Sequence, residues 1–272
     1  MDVWTLELHV NGNVKKVKNV RNEKIVKDVK DVKDVKKSAV WVLIALGFIG
    51  FCLPFSLMAQ ANPADYLSDI KTELKKEWPG NRTINLVFHG HSVPAGYFKT
   101  PVVNTLDSYP YQLLAELKTL YPYAVINVIN TAIGGENSES GAGRFADDVL
   151  IHKPDVLFID YALNDRGIGL EKSRAAWESM IKSALKRKIK IILLTPSPDQ
   201  NIKIMEPGNE LEKHADQIRS LAKKYGLGLA DSYEAFRQIA SDKPLSDYMS
   251  QVNHPNKKGH ELIVREILKY FL

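Results

Sequence analysis

Two short strings of residues hold a possible nucleophile and a possible base at opposite ends of the chain. Ser92 stands in the string Gly90-His91-Ser92, just after an apolar segment, and His254 stands far downstream in Asn253-His254-Pro255. A serine hydroxyl can attack a carbonyl carbon when a neighbouring imidazole takes its proton, and the same imidazole can return that proton to a leaving alcohol. The pair therefore indicates acyl-transfer chemistry, provided that the fold brings the two residues together.

Two further strings offer groups that could stabilise the oxyanion of such a reaction. The string AIGGENS contains Gly135, whose N–H a ligand can approach closely because a glycine has no Cβ. The string ALND contains Asn164, whose uncharged amide can donate a hydrogen bond at any ordinary pH. Each residue alone has a simpler explanation, since Ser92 could cap a helix, Gly135 could sit in any turn and Asn164 could order a loop.

The order of predicted elements explains how these strings could meet. Short apolar segments predict five strands, at residues 84–88, 124–129, 155–160, 189–194 and 228–230. Amphipathic segments between and around them predict helices at residues 65–78, 111–120, 170–185, 211–225 and 258–270. Buried strands that alternate with helices are typical of a parallel sheet covered on both faces, and ligands bind such sheets at the carboxyl ends of the strands. We therefore expect one flavodoxin-like three-layer α/β/α domain with the four strings at one edge of its sheet.

The four strings in this order resemble those of the SGNH (GDSL-like) hydrolase family, over residues 84–270. The resemblance implies that Ser92 is both the nucleophile and a backbone oxyanion donor, that Gly135 and Asn164 are the other donors, and that His254 is the base. The AIGG string and the histidine string are also similar to those of carbohydrate acetylesterases in this family. What the resemblance implies is hydrolysis of short-chain acyl esters without a cofactor.

Three positions depart from the family pattern, and one of them bears on the mechanism. His91 replaces the usual Asp of Gly-Asp-Ser, Ala162 replaces a usual Gly, and Gln251 replaces the Asp expected three residues before the histidine. A carboxylate there would both orient the imidazole and stabilise its charged form, whereas an amide can only orient it. The candidates for orienting His254 are Gln251, a backbone carbonyl, Asp247 and Asp165. Of these we favour a Ser-His dyad supported by Gln251 or a carbonyl.

The surroundings of the predicted site are less strongly indicated. His91, Gly134 and Tyr97 are expected to shape the substrate pocket. The pair His89 and His91 could in principle bind a metal, but no cysteine or carboxylate cluster adjoins them in sequence, so no metal site is predicted.

Charge excludes one class of partner. Of 37 Lys+Arg and 32 Asp+Glu residues, ten basic and six acidic ones lie within residues 1–61, which leaves 27 and 26 for residues 62–272. A nearly neutral domain lacks the basic surface that phosphate backbones require, so no nucleic-acid partner is expected.

The first 61 residues are interpreted as a targeting region. Residues 1–38 form a basic segment with a triplet Lys-Asp-Val repeat that should stay disordered, and their length raises the hypothesis that translation starts downstream of Met1. Residues 39–58 are uncharged and apolar, and Ala59-Gln60-Ala61 matches a signal-peptidase site, so residues 39–61 predict a signal peptide cleaved after Ala61. An uncleaved membrane anchor is the alternative, and either version places the domain at residues 62–272 outside the cytoplasm.

Together these features predict an exported, periplasmic or secreted serine esterase acting on acetyl or other short acyl esters of a small molecule or polysaccharide. A lipid-ester or thioester hydrolase of the same fold is one alternative. A non-catalytic exported binding module is another, and Gln251 is the residue that favours it.

Overall fold

The computed structural model describes residues 59–272 and two short strands near the amino terminus. These two strands, Leu8–Val10 and Asn13–Lys15, pair antiparallel with His9 opposite Val14. The chain divides into two units, residues 1–55 and 56–272. Apart from the two strands, the predictions for residues 1–58, including the apolar segment, lie outside the described residues and stay predictions. Within the described part of the chain, no helix is long and apolar enough to cross a membrane.

A five-stranded parallel sheet forms the centre of the second unit. Its strands are β1 (Thr83–Gly90), β2 (Val125–Asn130), β3 (Val156–Asp160), β4 (Lys190–Leu194) and β5 (Gly228–Ala230). They lie in the order β2-β1-β3-β4-β5, so β1 lies between β2 and β3 and the chain runs outward from it in both directions. This is the flavodoxin-like order, and the predicted fold is confirmed.

Helices cover both faces of this sheet, and the four predicted at residues 111–120, 170–185, 211–225 and 258–270 are observed within two residues of those bounds. The longer ones are α2 (Ser68–Leu74), α4 (Tyr109–Leu120), α7 (Gly169–Leu185), α8 (Glu210–Tyr225), α9 (Ser232–Asp242) and α10 (Lys257–Leu268). The shorter ones are α1 (Pro63–Tyr66), α3 (Ser92–Ala95), α5 (Ser138–Gly143) and α6 (Phe145–Asp148). Four 3₁₀ turns occupy Thr105–Asp107, Leu150–His152, Asn164–Gly167 and Leu245–Tyr248.

The core has two layers because successive residues of a strand point to opposite faces of the sheet. On one face Phe88 and Phe158 stack with ring centroids 4.3 Å apart, packed against Tyr109 of α4. On the other face Leu157 and its neighbours pack around the fully buried Trp177 of α7. The loops that carry Ser92, Gly135 and Asn164 follow the carboxyl ends of β1, β2 and β3, which belong to this two-layered core.

The structure corrects the prediction at several elements. The helix expected at residues 65–78 is two short helices that end at Leu74. Helices α5, α6 and α9 were not predicted, and α5 contains Ser138, Gly141 and Gly143, residue types with low helix propensity. Its formation depends on tertiary contacts, including the side chain of Asn137, which caps it by accepting from the N–H of Ser140 at 3.1 Å.

Candidate active site

Ser92 lies in a sharp turn between β1 and helix α3. A Cβ at Gly90 would come within 2.4 Å of the carbonyl oxygen of Asp160 on the neighbouring strand, so only glycine fits there. The N-cap of α3 is His91, whose Nδ1 accepts from the N–H of Val93 at 3.2 Å. Because His91 takes the capping role, the hydroxyl of Ser92 is not used as a cap.

His254 reaches Ser92 from the last loop of the chain. A small antiparallel ribbon of Met249–Gln251 (β6) and His254–Pro255 (β7) holds that loop in place. The Nε2 atom of His254 lies 2.9 Å from the Oγ atom of Ser92, which is hydrogen-bonding distance. Burial lowers the pKa of His254 from its ordinary value, although a hydrogen bond to the carbonyl of Phe98 opposes that shift. The imidazole is thus neutral, and free to accept a proton, over a wider range of pH.

A hydrogen-bond acceptor and a hydrogen-bond donor both face the Nδ1 atom of His254. The carbonyl oxygen of Phe98 lies 3.2 Å from Nδ1, and the Nε2 atom of Gln251 lies 2.7 Å from it. The Oε1 atom of Gln251 accepts from the N–H of Thr100 at 3.0 Å, which sets the orientation of the amide so that its NH₂ group faces the imidazole. The Phe98 carbonyl supports the tautomer with a proton on Nδ1, the one that a base requires, whereas the Gln251 amide favours the other tautomer.

The two carboxylates considered for this position lie elsewhere. Asp247 is exposed, and within residues 59–272 no hydrogen bond joins its side chain to His254. Asp165 is fully buried and accepts from the N–H of Ser138 at 2.8 Å and from the indole N–H of Trp177 at 2.6 Å. Burial raises the pKa of Asp165, and these hydrogen bonds oppose that shift. Asp165 thus ties the loop after β3 to α5 and α7, which is a structural role.

The predicted oxyanion donors lie in two loops that are joined to each other and to β1. Residues 133–136 form a type II turn, with the N–H of Glu136 donating to the carbonyl of Ile133 at 3.3 Å and with Gly135 at a φ of +82°. The N–H of Ile133 donates to the carbonyl of Gly90 at 3.0 Å, which ties this turn to the Ser92 loop. The side chain of Asn164 donates to the carbonyl of Glu136 at 2.8 Å. The structure therefore brings the loops of Ser92, Gly135 and Asn164 together at one edge of the sheet.

The three predicted pocket residues separate into two groups. Tyr97 is half-buried, its ring lies 6.2 Å from that of His254, and a Cβ at Gly134 would come within 3.0 Å of it. Tyr97 and Gly134 thus form one wall beside the histidine. His91, in contrast, has no exposed surface, and its Nε2 lies 3.4 Å from a carboxylate oxygen of Asp160. The side chain of His91 supports the Ser92 loop from below, so it does not line the open pocket as predicted.

His89, two residues before His91, is also structural. The Nδ1 atom of His89 lies 2.9 Å from the hydroxyl of Thr131, and its Nε2 lies 3.1 Å from the carbonyl of Gly141. Burial lowers the pKa of His89 to about 4, so the ring is neutral at physiological pH. Among the described residues no group of three or more His, Cys, Asp and Glu side chains is placed to hold a metal ion.

Sequence analysis did not identify three contributors to this site, although it included a backbone carbonyl among the candidates for orienting His254. The carbonyl of Phe98 and the N–H of Thr100 are backbone groups, which carry no signature of their own in a sequence. Arg144 was missed because it lies outside the four strings, in the connection between α5 and α6, yet its guanidinium contacts the side chain of Glu136 in the Gly135 turn. The acidic residue next to the two glycines is the one sequence signal that could have indicated a basic partner.

The comparison with protein families agrees with the geometry. Residues 88–262, which include all four strings, match the model of the GDSL-like Lipase/Acylhydrolase family. The chain belongs to this family. The predicted family and the predicted class of enzyme, an ester hydrolase, are confirmed at this level.

Two relatives share a low sequence identity with this chain. The chain is 21% identical to an acetylxylan esterase from Geobacillus stearothermophilus over 56% of this chain and 75% of that protein. It is 27% identical to the uncharacterized lipoprotein YqeF of Bacillus subtilis (strain 168), over 52% of this chain and 72% of that protein. The chain is thus an esterase of the family related to acetylxylan esterases.

Solved structures show the same fold. A crystal structure of Axe2, the acetylxylan esterase from Geobacillus stearothermophilus, superposes with a TM-score of 0.60 at 22% identity over 69% of this chain and 94% of that one. A two-domain esterase active on acetylated mannans superposes with a TM-score of 0.63 at 20% identity over 80% of this chain. The present chain spans 55% of the length of that two-domain protein.

Proposed function

We propose that this protein is an exported serine esterase that removes acetyl or other short acyl groups from carbohydrate esters. The observation that carries the proposal is the 2.9 Å contact between Ser92 Oγ and His254 Nε2, with a backbone carbonyl behind Nδ1. A hydroxyl and a neutral imidazole in this arrangement are a nucleophile and its base. No cofactor takes part in the proposed reaction.

The mechanism has two half-reactions. His254 takes the proton of Ser92 as its Oγ attacks the ester carbonyl, and the oxyanion accepts hydrogen bonds from the N–H groups of Ser92 and Gly135 and from the amide of Asn164. The imidazolium then gives its proton to the alcohol oxygen as the C–O bond breaks, which leaves an acyl group on Ser92. Water, deprotonated by His254, attacks that acyl group, and the same nitrogen returns the proton to Ser92 as the acid leaves.

The proposed substrate class is supported by similarity to known esterases and by an aromatic side chain beside His254. Relatives at this level of identity include an acetylxylan esterase and, by fold, an esterase active on acetylated mannans. Tyr97, packed against Gly134 beside His254, offers an aromatic surface on which a sugar ring can stack. Export is supported by the apolar segment at residues 39–58 and by a relative described as a lipoprotein.

Hydrolysis of 4-nitrophenyl acetate by the purified protein tests the proposal. We expect Ser92→Ala and His254→Ala to abolish turnover, and Asp247→Ala to keep most of it because that carboxylate is exposed. Equal rates for the wild type and Ser92→Ala would refute the esterase proposal, and a loss of several orders of magnitude in Asp247→Ala would refute the Ser-His dyad. Release of acetate from acetylated xylan and acetylated mannan, compared with longer 4-nitrophenyl esters, then tests the substrate class.

A non-catalytic binding module is the second candidate, and one observation favours it. The NH₂ group of Gln251 faces His254 Nδ1 and favours the tautomer that cannot act as a base. In that case the wild type would bind acetylated oligosaccharide in a calorimetric titration but would release no acetate from it.

A further inference from the structure

The turn that holds Gly135 ends at a charged residue, Glu136, whose side chain pairs with Arg144. Glu136 is the last residue of the turn, and its carboxylate accepts from Nε of Arg144 through both of its oxygens at 3.0 Å. The Nη2 atom of Arg144 also donates to Glu136 Oε2, so two nitrogens on one edge of the guanidinium bind this carboxylate. Both side chains are about one-sixth exposed, at 17% each. A planar pair of this kind fixes direction as well as distance.

Arg144 is itself held by its surroundings. Its Nη1 donates to Asp148 at 3.1 Å, one turn further along the helix, and its Nη2 lies 3.3 Å from the hydroxyl of Tyr161. That hydroxyl lies at the end of β3, 3.3 Å from the carboxylate of Glu136, and 3.2 Å from Nε2 of His89. The ion pair is therefore anchored to the sheet and does not extend freely into solvent.

The backbone of Glu136 is connected to both of the predicted oxyanion donors outside the Ser92 loop, the N–H of Gly135 and the amide of Asn164. Its N–H closes the turn in which the central peptide carries the N–H of Gly135, and its carbonyl accepts one of the two N–H bonds of the Asn164 amide. The second N–H of that amide is the one available for an oxyanion. A shift of Glu136 would therefore move the Gly135 donor and rotate the Asn164 donor at once.

We propose that Arg144 is a positioning residue for the oxyanion hole, because its ion pair with Glu136 holds the donors of Gly135 and Asn164 at one spacing. This inference rests on the proposed esterase function. The donors act by being held in place before charge develops, so a loss of position weakens them even when both remain present. Arg144 does not touch the reacting atoms and acts only through Glu136.

The test compares Arg144→Met with a matched variant at the opposite edge of the sheet. Arg219 forms a similar paired contact with Asp231, at 2.7 Å and 3.0 Å, beyond β5. We expect Arg144→Met to lower kcat for 4-nitrophenyl acetate by about 10- to 100-fold with little change in KM, because misplacing groups by about 1 Å can cost on the order of 100-fold. We expect Arg219→Met to keep the kcat of the wild type, although thermal unfolding should show that both variants lose stability.

A second variant and a second readout separate positioning from general damage. Glu136→Gln removes the charge and keeps the shape, and the double variant with Arg144→Met should be no slower than Arg144→Met alone, because the two side chains act as a unit. Phenylboronic acid, which forms a tetrahedral adduct with a serine hydroxyl, should bind Arg144→Met more weakly by about the factor lost in kcat.

The outcomes distinguish this inference from the function on which it rests. The positioning role alone is overturned if the wild type is active and Arg144→Met is equally active. It is also overturned if the Arg144→Met and Arg219→Met variants lose kcat equally. A wild type without Ser92-dependent hydrolysis overturns the esterase function, and the positioning role with it.

Discussion

Replacement of Gln251 by glutamate is the sharpest test of how His254 is supported. The two side chains have the same shape, so the positions of Oε1 and Nε2 carry over to the two oxygens of a carboxylate. One oxygen would keep the hydrogen bond from the N–H of Thr100, now 3.0 Å, and the other would lie where Nε2 now stands, 2.7 Å from His254 Nδ1. The donor that opposes the reactive tautomer would thus become an acceptor that supports it.

The size of the effect follows from charge and distance. Two unit charges about 4 Å apart attract by about 4 kcal/mol at an effective dielectric constant of about 20, and this is an upper limit because Gln251 is only half-buried. We expect about a third to two thirds of this attraction energy, which corresponds to a rise of about 1 to 2 units in the pKa of His254. Since the imidazolium also forms in the transition state, kcat should rise by about 10- to 100-fold.

The assay is the pH profile of kcat/KM for 4-nitrophenyl acetate. A carboxylate favours the charged imidazole, so the acid limb of the Gln251→Glu profile should move to higher pH while its plateau rises. Gln200→Glu is the matched control, because Gln200 is exposed on the neighbouring loop and its side chain donates a hydrogen bond to the backbone carbonyl of Gln251 and does not contact His254 by a hydrogen bond within residues 59–272. A Gln251→Glu profile that coincides with that of the wild type, in a protein of equal stability, would refute the reasoning about the tautomer.

Three further predictions concern the wild-type histidine and two buried contacts. The acid limb of the wild-type kcat/KM profile should reflect a pKa below the ordinary value of about 6.5, because burial favours neutral His254 and activity requires the neutral form; a limb above that value would contradict the assignment. Gly90→Ala should unfold at a clearly lower temperature than the wild type in a thermal melt, since its Cβ would lie 2.4 Å from the carbonyl of Asp160, and an unchanged melting temperature would show that the strand can shift. Trp177→Phe should cost about 1 to 3 kcal/mol in urea unfolding, because it removes the 2.6 Å hydrogen bond to buried Asp165, and a cost near zero would mean that water replaces that donor.

Local patterns were sufficient to predict most of the fold. The strands were recognised because each is a short apolar run that must be buried on both faces, and the five observed strands begin and end within about two residues of their predicted bounds. The short helices α5 and α6 were not predicted, because their sequence SESGAGRFADD has little intrinsic helix preference and forms helices through contacts such as the Asn137 cap. Arg144 lies between these two helices, so its role at the site was missed with them.

What the sequence by itself determined was which residues are candidates for the reacting groups. The sequence allowed four residues to be chosen because the hydroxyl, imidazole and amide side chains, and a glycine without a Cβ, suit acyl transfer. Parallel strands also present their carboxyl ends at one edge of the sheet, where such groups can meet. The four residues are Ser92, Gly135, Asn164 and His254.

Only the tertiary structure decided what supports them. The contact between His254 and the Phe98 carbonyl joins residues 156 positions apart, and a carbonyl is present at every residue, so no pattern could select it. The orientation of the Gln251 amide depends in the same way on the N–H of Thr100, 151 positions away. A backbone group acquires a particular role only when packing brings it to a particular atom. The hydrogen-bond partners of His254 Nδ1 could therefore be identified only from the tertiary structure.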